Sequence, residues 1–220
     1  REAGPPGQLS QSHVAVTAAE EGEVEMSMWK YVLMCLCVVA TARAESIGSP
    51  CDGRLEGGVR LAETDGELLV VSDPSRTYGT RELVEALQRA GEEVSSYSEK
   101  AIVVNNLSLK NGGDMPGHAG HESGREVDVT LPSFGRKSAY EHFGPDGRSR
   151  SGTKFDSWLL AEFLLAMHRR APISEMVLSA PLAKMVAEKI RRQAVVPSEA
   201  WLASKFRAPR PGERPHDDHV

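Results

Sequence analysis

At 220 residues, with 40% hydrophobic and 26% charged side chains, the composition is that of a globular chain able to bury one proper core, which excludes disorder throughout. A net charge of −5 supplies no basic footprint, so nucleic acid and anionic membrane surfaces are not the expected partners. A small-molecule or cell-wall substrate stays open.

The first 25 residues begin on Arg1, are rich in Glu, Gly and Ala, and read as an upstream, non-structural segment. From Met26 or Met28 the chain runs through Lys30 into YVLMCLCVVATA, residues 31–42. These twelve apolar positions fall short of the roughly 20 that a spanning helix needs. They end on Ala42-Arg43-Ala44, a small-x-small cleavage pattern, so residues 26–44 read as a secretory signal peptide and 45–220 as the exported domain. Cleavage removes Cys35 and Cys37 and leaves Cys51 alone. No disulfide then forms within the mature chain, although the compartment is oxidising. Packing or a metal must supply the stability.

Periodicity in the exported part is mixed α and β. GELLVVS (66–72) reads as a strand. TRELVEALQRAGEE (80–93) reads as a helix with Leu83, Leu87 and Ala90 on one face and Thr80 as N-cap. AIVVNNLSL (101–109) and REVDVTL (125–131) read as further strands, and Pro132–Gly152 as a long loop rich in Gly, Ser, Arg and Lys. FDSWLLAEFLLAMHRR (155–170) is the strongest helix. The strand SEMVLSA follows, then the helix PLAKMVAEKIRRQ with Pro181 in its first turn. Val195–Pro215 reads as a Pro- and Arg-rich connector.

The chemistry concentrates in two short segments. In GHAGHESGREVDV, residues 117–129, alternation puts Val127, Val129 and Leu131 on one strand face and Glu126, Asp128 and Thr130 on the other. His121 precedes Asp128 by seven positions, and Gly124 permits the turn that folds an imidazole back beside the carboxylate. Imidazole nitrogen and carboxylate oxygen are ordinary zinc ligands, and a catalytic zinc takes three protein ligands plus an open position. The second segment, RPHDDHV, carries His216 and His219. Of seven histidines, four fall in these two segments. His13, His142 and His168 have ordinary placements, the last at a helix end where an imidazole suits the dipole. A lone histidine more often serves structure, but two clusters in an exported chain favour metal chemistry. HExxH, the GxSxG elbow and the P-loop are all absent from the sequence.

GGDMPGHAGHESGREVDV followed by PHDDHV, with RTYGTRELVEALQRAG and VVNNLSLKNGG upstream, resembles the penicillin-insensitive murein endopeptidases, zinc peptidases related to D-Ala-D-Ala peptidases of the VanY and VanX type. The likeness takes in most of residues 50–220. It implies an α+β fold, a small antiparallel sheet flanked by helices with a metal site on the sheet. It also implies Zn2+ held by His121 and Asp128, His219 as catalytic base, and His118 and His216 lining the site; Asp217 and Asp218 are candidates to orient the imidazoles, with plain surface carboxylates the alternative for one of the two. The implied substrate is the D-alanyl to meso-diaminopimelyl cross-link of peptidoglycan, in the periplasm, with no membrane span once the signal is removed. The family pattern ends in His-x-His. His219 and Val220 stop one position before its last member, so the third zinc ligand is expected beyond Val220 and the sequence is read as C-terminally truncated, its own activity in doubt. Gly120 stands where the family commonly has serine, and the lone Cys51 departs from relatives that carry disulfides. A D,D-carboxypeptidase or dipeptidase on the same metal site, and a non-catalytic wall-binding module, are the two rival readings. Arg148, Arg150 and Lys154 of the basic loop are candidate clamps for stem-peptide carboxylates.

Overall fold

A computed structural model describes residues 44–62, 69–71, 73–98, 100–134, 141–211, 216, 219 and 220. The chain divides into Arg1–Ala42 and Arg43–Val220, and every described residue belongs to the second unit. The signal-peptide reading of 26–44 and the candidates Asp217 and Asp218 therefore lie outside the described residues, apart from Ala44.

The first described element is a hairpin, β1 (Glu45–Ser49) and β2 (Asp52–Glu56), paired antiparallel with Ser46 opposite Leu55. Cys51 lies exposed at its turn. β3 (Val59–Arg60) pairs antiparallel with β5 (Tyr78–Gly79), and β4 (Leu69–Val71) pairs parallel with β6 (Ile102–Val104). The parallel pair needs a crossover, and α1 (Arg81–Ser95) makes it, opened by the Thr80 hydroxyl accepting from the Leu83 N–H at 3.3 Å. α2 (Ser157–His168) is capped by Asp156, whose carboxylate accepts from the Leu159 N–H at 3.1 Å and pairs with Lys100 at 2.6 Å. β7 (Met176–Val177), α3 (Ala180–Gln193), α4 (Pro197–Leu202) and β8 (Phe206–Arg207) complete the order, β7 and β8 lying parallel. Among the described residues the fold is α+β, small sheets with four helices, two of the four strand pairs being antiparallel.

SWLLAEFLLAMH is apolar nearly all round, and a helix of that kind must be buried on every side. α2 accordingly packs between α1 and α3. One flank joins Phe163, Leu159 and Met167 to Leu83, Leu87, Val94, Ile102, Val104 and Val129. The other joins Leu160, Leu164 and Leu165 to Leu182, Val186, Ile190, Phe155 and Leu131. Val129 and Leu131, two apart along one extended segment, thus anchor its apolar face into both halves of the core, which leaves Asp128 and Thr130 to the opposite face.

That segment is narrower than the sequence reading of 125–131. Asp128–Thr130 is nonetheless paired along both edges: Asn105 N–H to Asp128 O and Asp128 N–H to Asn106 O on one side, Val129 N–H to Val220 O and Val220 N–H to Val129 O on the other, all at 2.7–2.8 Å. The face carrying Asp128 is not solvated, for Thr130 is buried and exchanges hydrogen bonds with Asn105.

The C-terminal connector reading is corrected. Pro197 opens α4, and Glu199 closes it from within by accepting the Val195 and Val196 N–H groups at 2.6 and 3.4 Å. Pro suits a first helical turn, so a Pro-rich composition there marks a helix start rather than an irregular linker. Glu199 also accepts from Arg169 at 3.0 Å, and Arg169 and Arg170 both reach Glu93 of α1. The Val195 N–H lowers the Glu199 pKa; burial opposes the shift, and Arg169 adds to the lowering. A carboxylate with a depressed folded pKa contributes stability that is present above its unfolded value, near ~4.3, and is lost as pH falls through the folded value. Glu199→Gln is therefore expected to cost about 1–3 kcal/mol at pH 7, with the difference from wild type shrinking below about pH 4. Urea unfolding at the two pH values checks this; a pH-independent difference contradicts it.

Candidate metal centre

The site grows from the loop between Gly112 and Asp128. Gly112 turns this loop with φ +68, and a Cβ there would meet the Glu122 carbonyl oxygen at 2.1 Å and the Leu55 amide at 2.5 Å, both backbone atoms that cannot step aside. The loop is fastened to the hairpin by Glu122 N–H to Pro50 O at 3.1 Å and by Gly53 N–H to the Glu122 carboxylate at 3.0 Å. Gly112→Ala is expected to destabilise the fold by more than ~1 kcal/mol and to weaken metal binding with it, measured by thermal unfolding alongside zinc titration. Unchanged values in both would show that the loop absorbs the methyl.

Gly124 takes φ +72, as the turn required, and His121 itself adopts φ 72. A non-glycine residue in the left-handed region is uncommon, though histidine tolerates it better than most, and such residues cluster at functional sites. Here the backbone turns the His121 imidazole inward, where its Nδ1–H donates to the Leu107 carbonyl at 2.7 Å. That bond leaves the Nε2 lone pair facing Asp128 Oδ1 at 3.1 Å. Two acceptors face each other across that gap, so the pair is satisfied only by a positive charge held in common, a proton or a metal ion. Asp128 Oδ2 in turn accepts from the Asn106 Nδ2–H at 3.1 Å.

His118 completes the group. Its Nδ1 lies 3.9 Å from Asp128 Oδ2 and its ring meets His121 edge-on, centroids 5.2 Å apart. The ligand atoms of His118, His121 and Asp128 all lie within 4.8 Å of one another, a set of two imidazoles and one carboxylate that fits zinc in type and number. The outer contacts fit as well, since metal-binding histidines usually donate their second N–H to a carbonyl or carboxylate, as His121 does to Leu107. Burial opposes ionisation of Asp128, but the hydrogen bond and charge of His121, with a contribution from His219, hold its pKa down at about 2. Burial pushes His121 the other way, and Asp128 outweighs it, so the imidazole pKa is raised. In neutral solution the carboxylate is ionised and ready to bind a cation.

His219 reaches the same face from the chain's far end. It bridges Thr130, while Val220 pairs with Val129. His216 stands beside it, ring centroids 4.6 Å apart, in a φ 48 conformation with its carbonyl accepting the Ser179 N–H at the start of α3. The structure thus gathers His118, His121 and Asp128 tightly and sets His219 against the strand that bears Asp128. In the basic loop, Lys154 lies over the Phe134 ring at 5.8 Å and pairs through its backbone with Arg148. His168 accepts the Ile173 N–H at the end of α2, a local role. Sequence reasoning missed Arg76, whose guanidinium Nη1 lies 3.4 Å from His118 Nε2, and Asn106. Both lie in the upstream stretches RTYGT and VVNN, where nothing in periodicity sets them apart.

Residues 46–147 match the family model described as penicillin-insensitive murein endopeptidase. The chain is 31% identical over 100 residues, 44% of its length and 36% of the relative's, to the penicillin-insensitive murein endopeptidase of Escherichia coli O157:H7 (strain EC4115 / EHEC). It is likewise 31% identical over 90 residues, 40% and 33% of the two lengths, to that of Escherichia coli O17:K52:H18 (strain UMN026 / ExPEC). The chain spans about a third of the length of these curated relatives. The matched residues contain His118, His121 and Asp128 and stop short of His216 and His219.

Proposed function

We propose, from the match of residues 46–147 to the penicillin-insensitive murein endopeptidase family model and the likeness to its relatives, that the chain is a zinc-dependent peptidase of that family, hydrolysing the D-alanyl to meso-diaminopimelyl cross-link of peptidoglycan. The observation that carries the reading is the convergence of His118, His121 and Asp128 within 4.8 Å. These three would hold the ion. Zinc, when bound, supplies a Lewis acid that polarises the scissile carbonyl and lowers the pKa of coordinated water to ~7, so no serine nucleophile is needed. That chemistry accounts for insensitivity to penicillin, which acylates serine.

The chain's own residues do the rest. Leu107 fixes the tautomer of His121 through its carbonyl, and Asn106 fixes the rotamer of Asp128. His219, beside Asp128 on the paired strand, takes the proton of the attacking water and returns it to the leaving amine, a role typically worth ~10²- to 10⁴-fold. His216 packs against His219 and sets its ring. Export fits a wall substrate: the apolar run before Ala44 and its cleavage pattern support a periplasmic location. No described helix is long and apolar enough to cross a membrane. The reading is tested by digesting purified cross-linked muropeptide dimers with and without a chelator and weighing the products. Monomers released only without chelator support it. Loss of a terminal D-alanine alone indicates a carboxypeptidase, and intact dimer under both conditions excludes hydrolysis.

A further inference from the structure

We infer that the exposed edge of α2 at Trp158, together with the neighbouring rings of Tyr97 and Phe134, is a docking surface for the glycan strand of peptidoglycan. The inference rests on the wall-polymer reading above and names what holds the part of the polymer that is not cleaved. Among the described residues four large aromatic side chains are exposed. Three of them, Tyr97 at 54%, Phe134 at 49% and Trp158 at 49%, are tied to α2. Tryptophan is highly buried on average, and grouped exposure of apolar side chains marks an interaction site.

Each ring is held in place by named contacts. Within α2 only Trp158, Glu162 and His168 reach solvent, and Trp158 and Glu162 lie one turn apart on the same face. The Tyr97 hydroxyl donates to Glu162 Oε2 at 3.4 Å, and Gln193 Nε2–H donates to Oε1 at 2.7 Å. Tyr97 is thereby fastened to the stripe that bears Trp158. Phe134 is fastened to the start of the same helix: its N–H donates to the Lys154 carbonyl at 2.9 Å, and Asp156 N–H donates to the Pro132 carbonyl at 2.8 Å. Lys100 Nζ lies 4.2 Å from the centre of the Phe134 ring while pairing with Asp156, the cap of α2, at 2.6 Å.

The chemistry of this edge selects its occupant. A pyranose ring has an apolar C–H face and a rim of hydroxyls, so it fits aromatic faces that alternate with polar side chains. Here Glu162, Lys100 and Asp156 supply that polar spacing, with the Lys100 and Asp156 charges already paired. A membrane surface calls for unpaired cations or a continuous apolar face, and the core of a protein interface is depleted of charge. The edge is also within reach of the candidate metal centre. Phe134 follows Asp128 by six residues, so their Cα atoms lie at most ~22 Å apart, and a stem peptide seated at the metal continues into its glycan.

The test uses peptide-free glycan oligomers of alternating N-acetylglucosamine and N-acetylmuramic acid, titrated calorimetrically into the zinc-loaded chain. Wild type should bind them, and the affinity should persist at high salt because stacking rather than charge carries it. Trp158→Ala and Tyr97→Ala should each weaken binding ~10-fold, with thermal unfolding unchanged because both rings are exposed. Trp158→Phe should restore part of the loss. Digestion of intact sacculi should slow in Trp158→Ala, while hydrolysis of soluble muropeptide dimers, which carry no long strand, should match wild type. Absence of glycan binding, binding undiminished in both alanine variants, or capture by phosphatidylglycerol vesicles in place of glycan overturns the inference. Intact dimers with ring-dependent glycan binding would remove the endopeptidase reading and leave the docking surface standing; cleaved dimers without glycan binding would do the reverse.

Discussion

Asp128→Ala and His121→Ala are each expected to abolish retention of zinc through gel filtration and, with it, cross-link hydrolysis. Asp128 offers the one carboxylate of the donor set, already ionised at neutral pH because His121 and His219 hold its pKa at about 2 against the effect of burial. Removing a group that only orients a ligand typically costs 10- to 100-fold in metal affinity, so removing the ligand itself should exceed ~10²-fold. Asp128→Asn is the sharper variant. It keeps the shape and one oxygen acceptor but loses the charge, and it should still lose most of the affinity. Far-ultraviolet circular dichroism guards against misfolding: Asp128 lies on the strand face opposite the core residues Val129 and Leu131, so the helices should persist. Zinc bound at wild-type strength by either alanine variant would place the metal elsewhere.

The second large effect is expected at His219, where metal binding and turnover should separate. His219→Ala should leave zinc stoichiometry unchanged and lower kcat by ~10²- to 10⁴-fold. His219 stands against Thr130 on the strand bearing Asp128 and contributes charge to it, whereas the three donors that converge are His118, His121 and Asp128. His118→Ala provides the contrast and should lose metal. If His219→Ala loses zinc and His118→Ala keeps it, the two histidines exchange roles.

The sequence made the site's two ends legible because their chemistry is local. His121 and Asp128 are seven apart around Gly124, and the strand alternation that buries Val129 and Leu131 must turn Asp128 to the other face. The helices were legible for the same reason: Thr80 caps α1, Pro181 sits in the first turn of α3, and the apolar run of α2 needs burial on both flanks. What escaped was set by tertiary contacts. The hairpin ESIGS/DGRLE has a single fully buried side chain, Leu55, so period-two patterning is too faint to register. His118 gave no sign of joining the donors, since its place depends on the turn at Gly117 and on His121 adopting a positive φ. Arg76 is distant in sequence and reaches the site only because Leu107 bridges its carbonyl to His121. The segment after Val195 misled because proline signals a helix start as readily as a linker, and Glu199, which closes the turn, looks like any surface acid until its N–H partners are seen.

The central claim is that one metal ion is held by His118, His121 and Asp128. Anomalous diffraction from zinc-soaked crystals, recorded on both sides of the zinc absorption edge, tests it most directly. A single dominant peak within ~2.0–2.2 Å of a nitrogen of each histidine and an oxygen of Asp128 is the predicted result. A peak bonded to other residues, or none at these three under saturating zinc, would contradict it.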